Sequence, residues 1–288
     1  MALRYKVLAL DLDGTLTNSK KVMTPRTRET LLRAQAQGLK IVLASGRPPF
    51  GIKPIAEQLE LRKYGGYILA FNGGAVIDCS TGETVMQRVL DMSLYPYLYS
   101  KAKAGGFNIL SYLGDDIACE DTGDEYVRYE ARLNGMGLRK VGNFLEEINF
   151  PEPKFLIVGD PARLAVLERE IAGHMEGRMS VYRSEPFFLE LLPLGIDKAG
   201  CLDTLLKRMG HCRGDLMACG DGYNDLGMIR YAGMGVAMAN AQKEVREAAD
   251  HVTLGNDEDG VAAAVENILL QDWLVTRQPH GKNLTSIA

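Results

Sequence analysis

Four short runs, Val7 to Leu10, Ile41 to Ala44, Tyr67 to Phe71 and Leu216 to Cys219, are almost continuously apolar and are bounded by glycine and polar positions. They lack the period-two alternation of a half-wet strand, which predicts strands buried on both faces of a parallel sheet. Between the first two runs, Thr24-Pro25 opens and Gly38 closes a helical pattern: a hydroxyl N-cap, proline at the first helical position, glycine past the end. Strand, helix, strand, helix, strand over residues 5–71 requires βαβ crossovers. The expected fold is therefore α/β, a doubly wound, mostly parallel, Rossmann-like sheet.

The middle of the chain follows another pattern. Helix-like stretches at Ser93 to Ala104, Gly123 to Asn134 and Ala162 to Met175 alternate with strand-like runs at Phe107 to Leu113, Ile117 to Cys119, Phe155 to Val158, Met179 to Arg183 and Phe187 to Leu191. This predicts an inserted α+β cap domain with an antiparallel sheet. The expected division is a core of residues 1–83 and 194–274, an insertion of 84–193 and a loose tail of 275–288. The hairpin-like segment Thr84 to Val89 would also suit the first domain.

Hydrophobic residues at 46% and charged residues at 24% over 288 positions are globular values. With 33 Lys plus Arg against 37 Asp plus Glu, the formal charge of -4 supplies no basic field for a polyanion, so nucleic acid is not the expected partner. No stretch approaches the roughly 20 apolar residues of a membrane span, and the start reads unlike a signal peptide, which predicts a cytoplasmic protein. Five cysteines without a C-x-x-C pair and four histidines without ligand spacing make a disulfide framework or a soft-metal site improbable.

Each apolar run ends in a polar group: Asp11 and Asp13, Ser45, Asn72, and Asp221. Ligands of open parallel sheets sit beyond the carboxyl ends of the strands, so four separated segments point to one crevice. Asp11 and Asp13, two apart, converge if the strand continues through them. Taken alone, a strand followed by an Asp- and Gly-rich turn explains the pair equally well. The second cluster, Gly220-Asp221-Gly222-Tyr223-Asn224-Asp225, changes the balance, because Asp221 and Asp225 lie one helical turn apart and can face the same cavity. Oxygen-only carboxylate clustering favours a hard divalent ion such as Mg2+. Lys198, in the first turn of a helix where the macrodipole disfavours a cation, is the candidate counter-charge. Ser45-Gly46-Arg47 offers a hydroxyl and backbone N–H groups suited to phosphate.

Asp11-x-Asp13-Gly14-Thr15, Ser45-Gly46-Arg47, Asn72-Gly73-Gly74, Lys198 and Gly220-Asp221-Gly222-x-Asn224-Asp225 together resemble the successive motifs of the haloacid dehalogenase-like superfamily, in particular its Cof-type sugar-phosphatase branch. The resemblance covers residues 5–270 and implies a Mg2+-dependent phosphatase acting on a small phosphorylated metabolite, as a monomer or homodimer. It implies Asp11 as nucleophile and Asp13 as general acid and base. Mg2+ would be held by Asp11, the Asp13 carbonyl and Asp221, with Asp225 as a further or supporting ligand. Ser45, Lys198, Asn224 and Asn72, Arg47 and the backbone around Leu12 and Gly46 would bind substrate. A hexose-phosphate mutase with the same nucleophile, and a non-catalytic phosphometabolite-binding module, are the alternatives. No cap residue receives a role.

Overall fold

The computed structural model describes residues 3–270. In chain order, β1 (Val7–Leu10), β2 (Lys40–Ala44), β3 (Tyr67–Ala70), β4 (Ala75–Asp78) and β5 (Thr84–Gln87) come first. They are followed by β6 (Asn108–Leu113), β7 (Asp116–Cys119), β8 (Gly137–Lys140), β9 (Phe155–Val158), β10 (Met179–Glu185) and β11 (Phe188–Pro193), then by β12 (Leu216–Gly220), β13 (Met234–Ala237) and β14 (His251–Val252). The first and last groups form one eight-stranded sheet, ordered β14-β13-β12-β1-β2-β3-β4-β5. It is parallel from β14 to β3 and antiparallel at β4 and β5. The parallel part follows from the apolar runs: all four residues of β1 and all five of β12 are buried. Alternate side chains feed opposite layers. Leu8 and Leu10 pack with Leu31 and Val265, whereas Val7 and Ala9 pack with Leu202 and Leu205.

Thr24 caps the helix Pro25–Ala36 by accepting from the Thr27 N–H, as its sequence predicts. Register then levels the strand ends. Leu10 pairs with Leu43 on one side and Cys219 on the other, so Asp11, Ser45 and Asp221 leave the sheet at one edge. The chain winds one way from β1 through β2 and β3, and the other way from β12 through β13 and β14. Beside β1 the winding reverses, which opens a crevice at that edge.

The inserted strands make a second sheet, β10-β11-β9-β6-β7-β8, antiparallel except where β7 meets β8. Phe155, Ile157, Leu189 and Leu191 on one face pack on the insertion's own helices through Leu98, Leu164 and Ile171. Leu110, Tyr112, Leu156, Val158 and Phe188 on the other face join the core cluster of the first domain, with Phe71 and Tyr112 rings 5.4 Å apart. The cap is thus seated on the core by its own second face. One boundary needs correction. Thr84–Gln87, placed at the start of the insertion by the sequence reading, pairs with β4 through Ala75↔Gln87 and Val76↔Met86, so the first sheet holds it and the insertion begins beyond it. The hairpin hydrogen bonds decide this, since an amphipathic edge strand satisfies its backbone only beside its neighbour. Residues 271–274 and the tail expected from Val275 lie outside the described residues. Among the described residues no helix is long and apolar enough to cross a membrane.

Candidate active site

Beyond β1 the chain turns at once. Gly14 adopts φ +85°, and Leu12, fully buried, anchors the turn through its carbonyl, which accepts from the Thr15 and Thr17 N–H groups. At the end of β3, Phe71, Asn72 and Gly73 are all left-handed, at φ 53°, 55° and 112°. For the two non-glycine residues that conformation costs on the order of 1–3 kcal/mol each. It brings the Asn72 amide between domains: Asn72 Nδ2 donates to Tyr182 Oη of the cap (3.3 Å) and its Oδ1 accepts from Asn224 Nδ2 (3.2 Å). The helix Lys198–Arg208, capped by Asp197, carries Lys198 at its first position.

Lys198 Nζ lies 2.7 Å from Asp11 Oδ1 and 2.6 Å from Asp225 Oδ1, with all three side chains buried. Asp225 turns its other oxygen to the Asp221 and Gly222 N–H groups, at 3.0 and 2.9 Å. Thr15 Oγ1 donates to Asp221 at 2.7 Å. Ligand oxygens of Asp11, Asp221 and Asp225 all fall within 4.8 Å of one another, and this group could hold a metal ion. The charges are unbalanced, three carboxylates to one ammonium. Burial, then the Asp225 charge, pushes the Asp11 carboxyl up to about 8, and burial raises Asp221 as well. Burial opposes the Lys198 ammonium, yet Asp11 and Asp225 outweigh it and hold the group above its ordinary value. An all-oxygen set that is short of positive charge fits a hard divalent cation.

A Cβ added at Gly14 would sit 2.4 Å from Asp221 Oδ2, and its φ is strained for any other residue. Gly14→Ala is therefore expected to displace that carboxylate and to weaken any divalent-cation binding by this group about tenfold or more. Titration of the purified protein with a divalent cation checks this, and an unchanged affinity would remove Asp221 from the candidate ligand set.

Asp13 has different partners from those its spacing suggests. Both it and Asp11 line the cavity, but Asp13 accepts a two-pronged pair from Arg47, Nε at 2.8 Å and Nη2 at 2.6 Å, and a third bond from Lys21 at 2.7 Å. Burial pushes its carboxyl up, but Arg47 and Lys21 prevail and hold it below the usual carboxylate range. The two acids do not share one counter-charge: each has its own. Of the residues singled out from the sequence, Asp11, Asp13, Ser45, Gly46, Arg47, Asn72, Lys198, Asp221, Asn224 and Asp225 all line one cavity of about 780 Å³. Leu12 does not. Its side chain is packed in the core. Sequence reasoning missed Lys21 and the cap residues Glu130, Asn134, Lys154, Tyr182 and Glu190, which close the cavity from above. Thr15 stood within a recognised motif, while the cap residues carry no local signal.

A site of this make-up, at the winding reversal of a parallel sheet under an inserted cap, defines a phosphate-handling hydrolase class, and the comparisons agree. A model of the haloacid dehalogenase-like hydrolases matches residues 8–265, and the chain belongs to that family. It is 33% identical over 269 residues to YxeH of Bacillus subtilis (strain 168), named as a candidate phosphatase, which spans 92% of this chain and 99% of that one. A haloacid dehalogenase-like hydrolase from Bacteroides thetaiotaomicron superposes with a TM-score of 0.90 at 51% identity, over 92% of this chain and 100% of that one. The subclass IIB sugar phosphatase BT4131 superposes at 0.76 and 25% identity, over 91% and 98% of the two chains. Fold, site and relatives together make the chain an enzyme of the haloacid dehalogenase-like phosphatase type.

Proposed function

We propose that this phosphatase hydrolyses monophosphate esters of small metabolites, sugar phosphates foremost, through a phosphoryl ester of Asp11. The observation that carries the reading is the Asp11 carboxylate itself, buried at the cavity floor, bonded to Lys198 and grouped with Asp221 and Asp225. Asp11, the Asp13 backbone carbonyl, Asp221 and Asp225 would hold Mg2+, which when bound supplies charge neutralisation for the carboxylates and the phosphoryl oxygens.

An Asp11 oxygen attacks phosphorus while the bond to the leaving oxygen breaks, and Asp13 gives that oxygen a proton. Asp13 then takes a proton from water, which attacks phosphorus and returns Asp11 and free phosphate. Held by Arg47 and Lys21, Asp13 is poised in the ionised form that this second half requires. Its acid role requires both cations to turn from it toward the incoming phosphate. Lys198 and the Ser45 hydroxyl bind phosphoryl oxygens, with the Gly46 backbone and Asn224 beside them.

A panel of phosphorylated sugars, nucleotides and cofactors tests the reading by phosphate release. Release with Mg2+, its loss on chelation by EDTA and its return on adding Mg2+ back are the expected results. Binding of phosphate esters without release from any of them would overturn it.

A further inference from the structure

The cap side of the cavity carries charged groups that phosphate chemistry does not need. Lys154, Glu130 and Glu190 are 3%, 4% and 7% exposed, and all three line the cavity. Lys154 Nζ meets Glu190 Oε2 at 2.6 Å, Ser184 Oγ donates to the other Glu190 oxygen at 2.7 Å, and Tyr112 Oη donates to Glu130 Oε1 at 2.8 Å. Burying carboxylates this deeply is costly unless something uses them. One turn on from Glu130, Asn134 lines the same cavity, 5% exposed, with its Oδ1 buried and without a hydrogen-bond partner.

The cavity's charges set a second condition. Eight carboxylates and five cations line it, and every one of those cations is engaged. Lys21 and Arg47 bind Asp13, Lys154 binds Glu190, Arg183 binds Glu168, and Lys198 binds Asp11 and Asp225. Once the reacting phosphate has drawn on those around Asp13 and on Lys198, the cap end has no cation left over for a second anion. A carboxylate facing such an anion repels it, while toward hydroxyl groups it is a strong acceptor.

We propose that Glu130, Asn134 and Glu190, with Lys154 as the internal counter-charge, form the leaving-group site and admit a polyhydroxy leaving group that carries no second anionic group. The inference rests on the cavity being a phosphate-monoester site. Neutral hydroxyls suit the glutamate oxygens, and Tyr182 Oη, held by Asn72, borders the same space.

The test compares kcat/KM for a hexose 6-phosphate, a hexose 1,6-bisphosphate and p-nitrophenyl phosphate, whose leaving group has no sugar hydroxyls and reports the shared chemistry. The wild-type enzyme should favour the 6-phosphate over the bisphosphate by about tenfold or more, a comparison that needs no variant. In Glu190→Gln, Lys154 is freed to meet an anion. The ratio of bisphosphate to 6-phosphate, each taken relative to p-nitrophenyl phosphate, should rise about tenfold. Preference of the wild-type enzyme for the bisphosphate, or a fall of all three rates in parallel in the variant, would overturn the proposal while leaving the phosphatase reading intact. Failure of the wild-type enzyme on all three, p-nitrophenyl phosphate included, would overturn both.

Discussion

Asp11→Asn is expected to abolish turnover, by about 10⁴-fold or more in kcat, and yet to raise the melting temperature of the metal-free protein. On the proposed mechanism, loss of turnover follows because the amide cannot form the phosphoryl ester. The gain in stability follows from the imbalance around Lys198, where Asp11, Asp221 and Asp225 crowd one ammonium and the variant removes one negative charge while Lys198 keeps its bond to Asp225. The pH dependence has a definite sign. The Asp11 carboxyl is raised from 3.8 to about 8, so the folded state binds that proton more tightly than the unfolded chain does. Its contribution to stability is therefore present at low pH and is lost as pH rises through that window. Thermal melts in EDTA between pH 5 and 9 should show the wild-type falling relative to Asp11→Asn, and saturating Mg2+ should narrow the gap. A variant that retains the wild-type rate would refute Asp11 as nucleophile.

Lys198→Met is expected to move stability in the opposite direction. The methionine fills the buried space but strips the only cation bonded to Asp11 and Asp225 among the described residues, leaving two buried carboxylates facing each other. Removing one partner from a buried ion pair costs about 3–5 kcal/mol, and denaturant unfolding in EDTA should register a loss of that order. Turnover should fall by roughly 10²–10³-fold, as when one preorganised donor to a developing oxyanion is removed. Opposite signs at neighbouring positions separate a charge-balance effect from loss of packing, which would destabilise both. Unchanged kinetics and stability would return Lys198 to an ordinary helix-start lysine.

The core was legible because its signals are local. Continuous apolar runs marked β1, β2, β3 and β12, and the Thr24-Pro25 start marked its helix within a residue or two of the observed bounds. β8 was not legible. Its four residues are all exposed, and a wet edge strand carries no burial pattern. Asp257 accepts from Ser19 and Asp259 from Thr27, tying the start of the last helix to the segment after β1, a pairing across more than 230 positions that no local rule reports.

Hydrophobic period, turn residues and motif order are properties of neighbours along the chain, and they alone established the α/β core, the inserted cap and the crevice at the strand ends where Asp11, Ser45, Lys198 and Asp221 gather. Which charge meets which is a property of distance in space. That Asp13 answers to Arg47 rather than sharing a counter-ion with Asp11, and that Glu130, Lys154 and Glu190 are interior groups rather than surface ones, depended on the cap sheet settling on the core. Burial turns ordinary charged residues into costly ones only after the chain has closed around them.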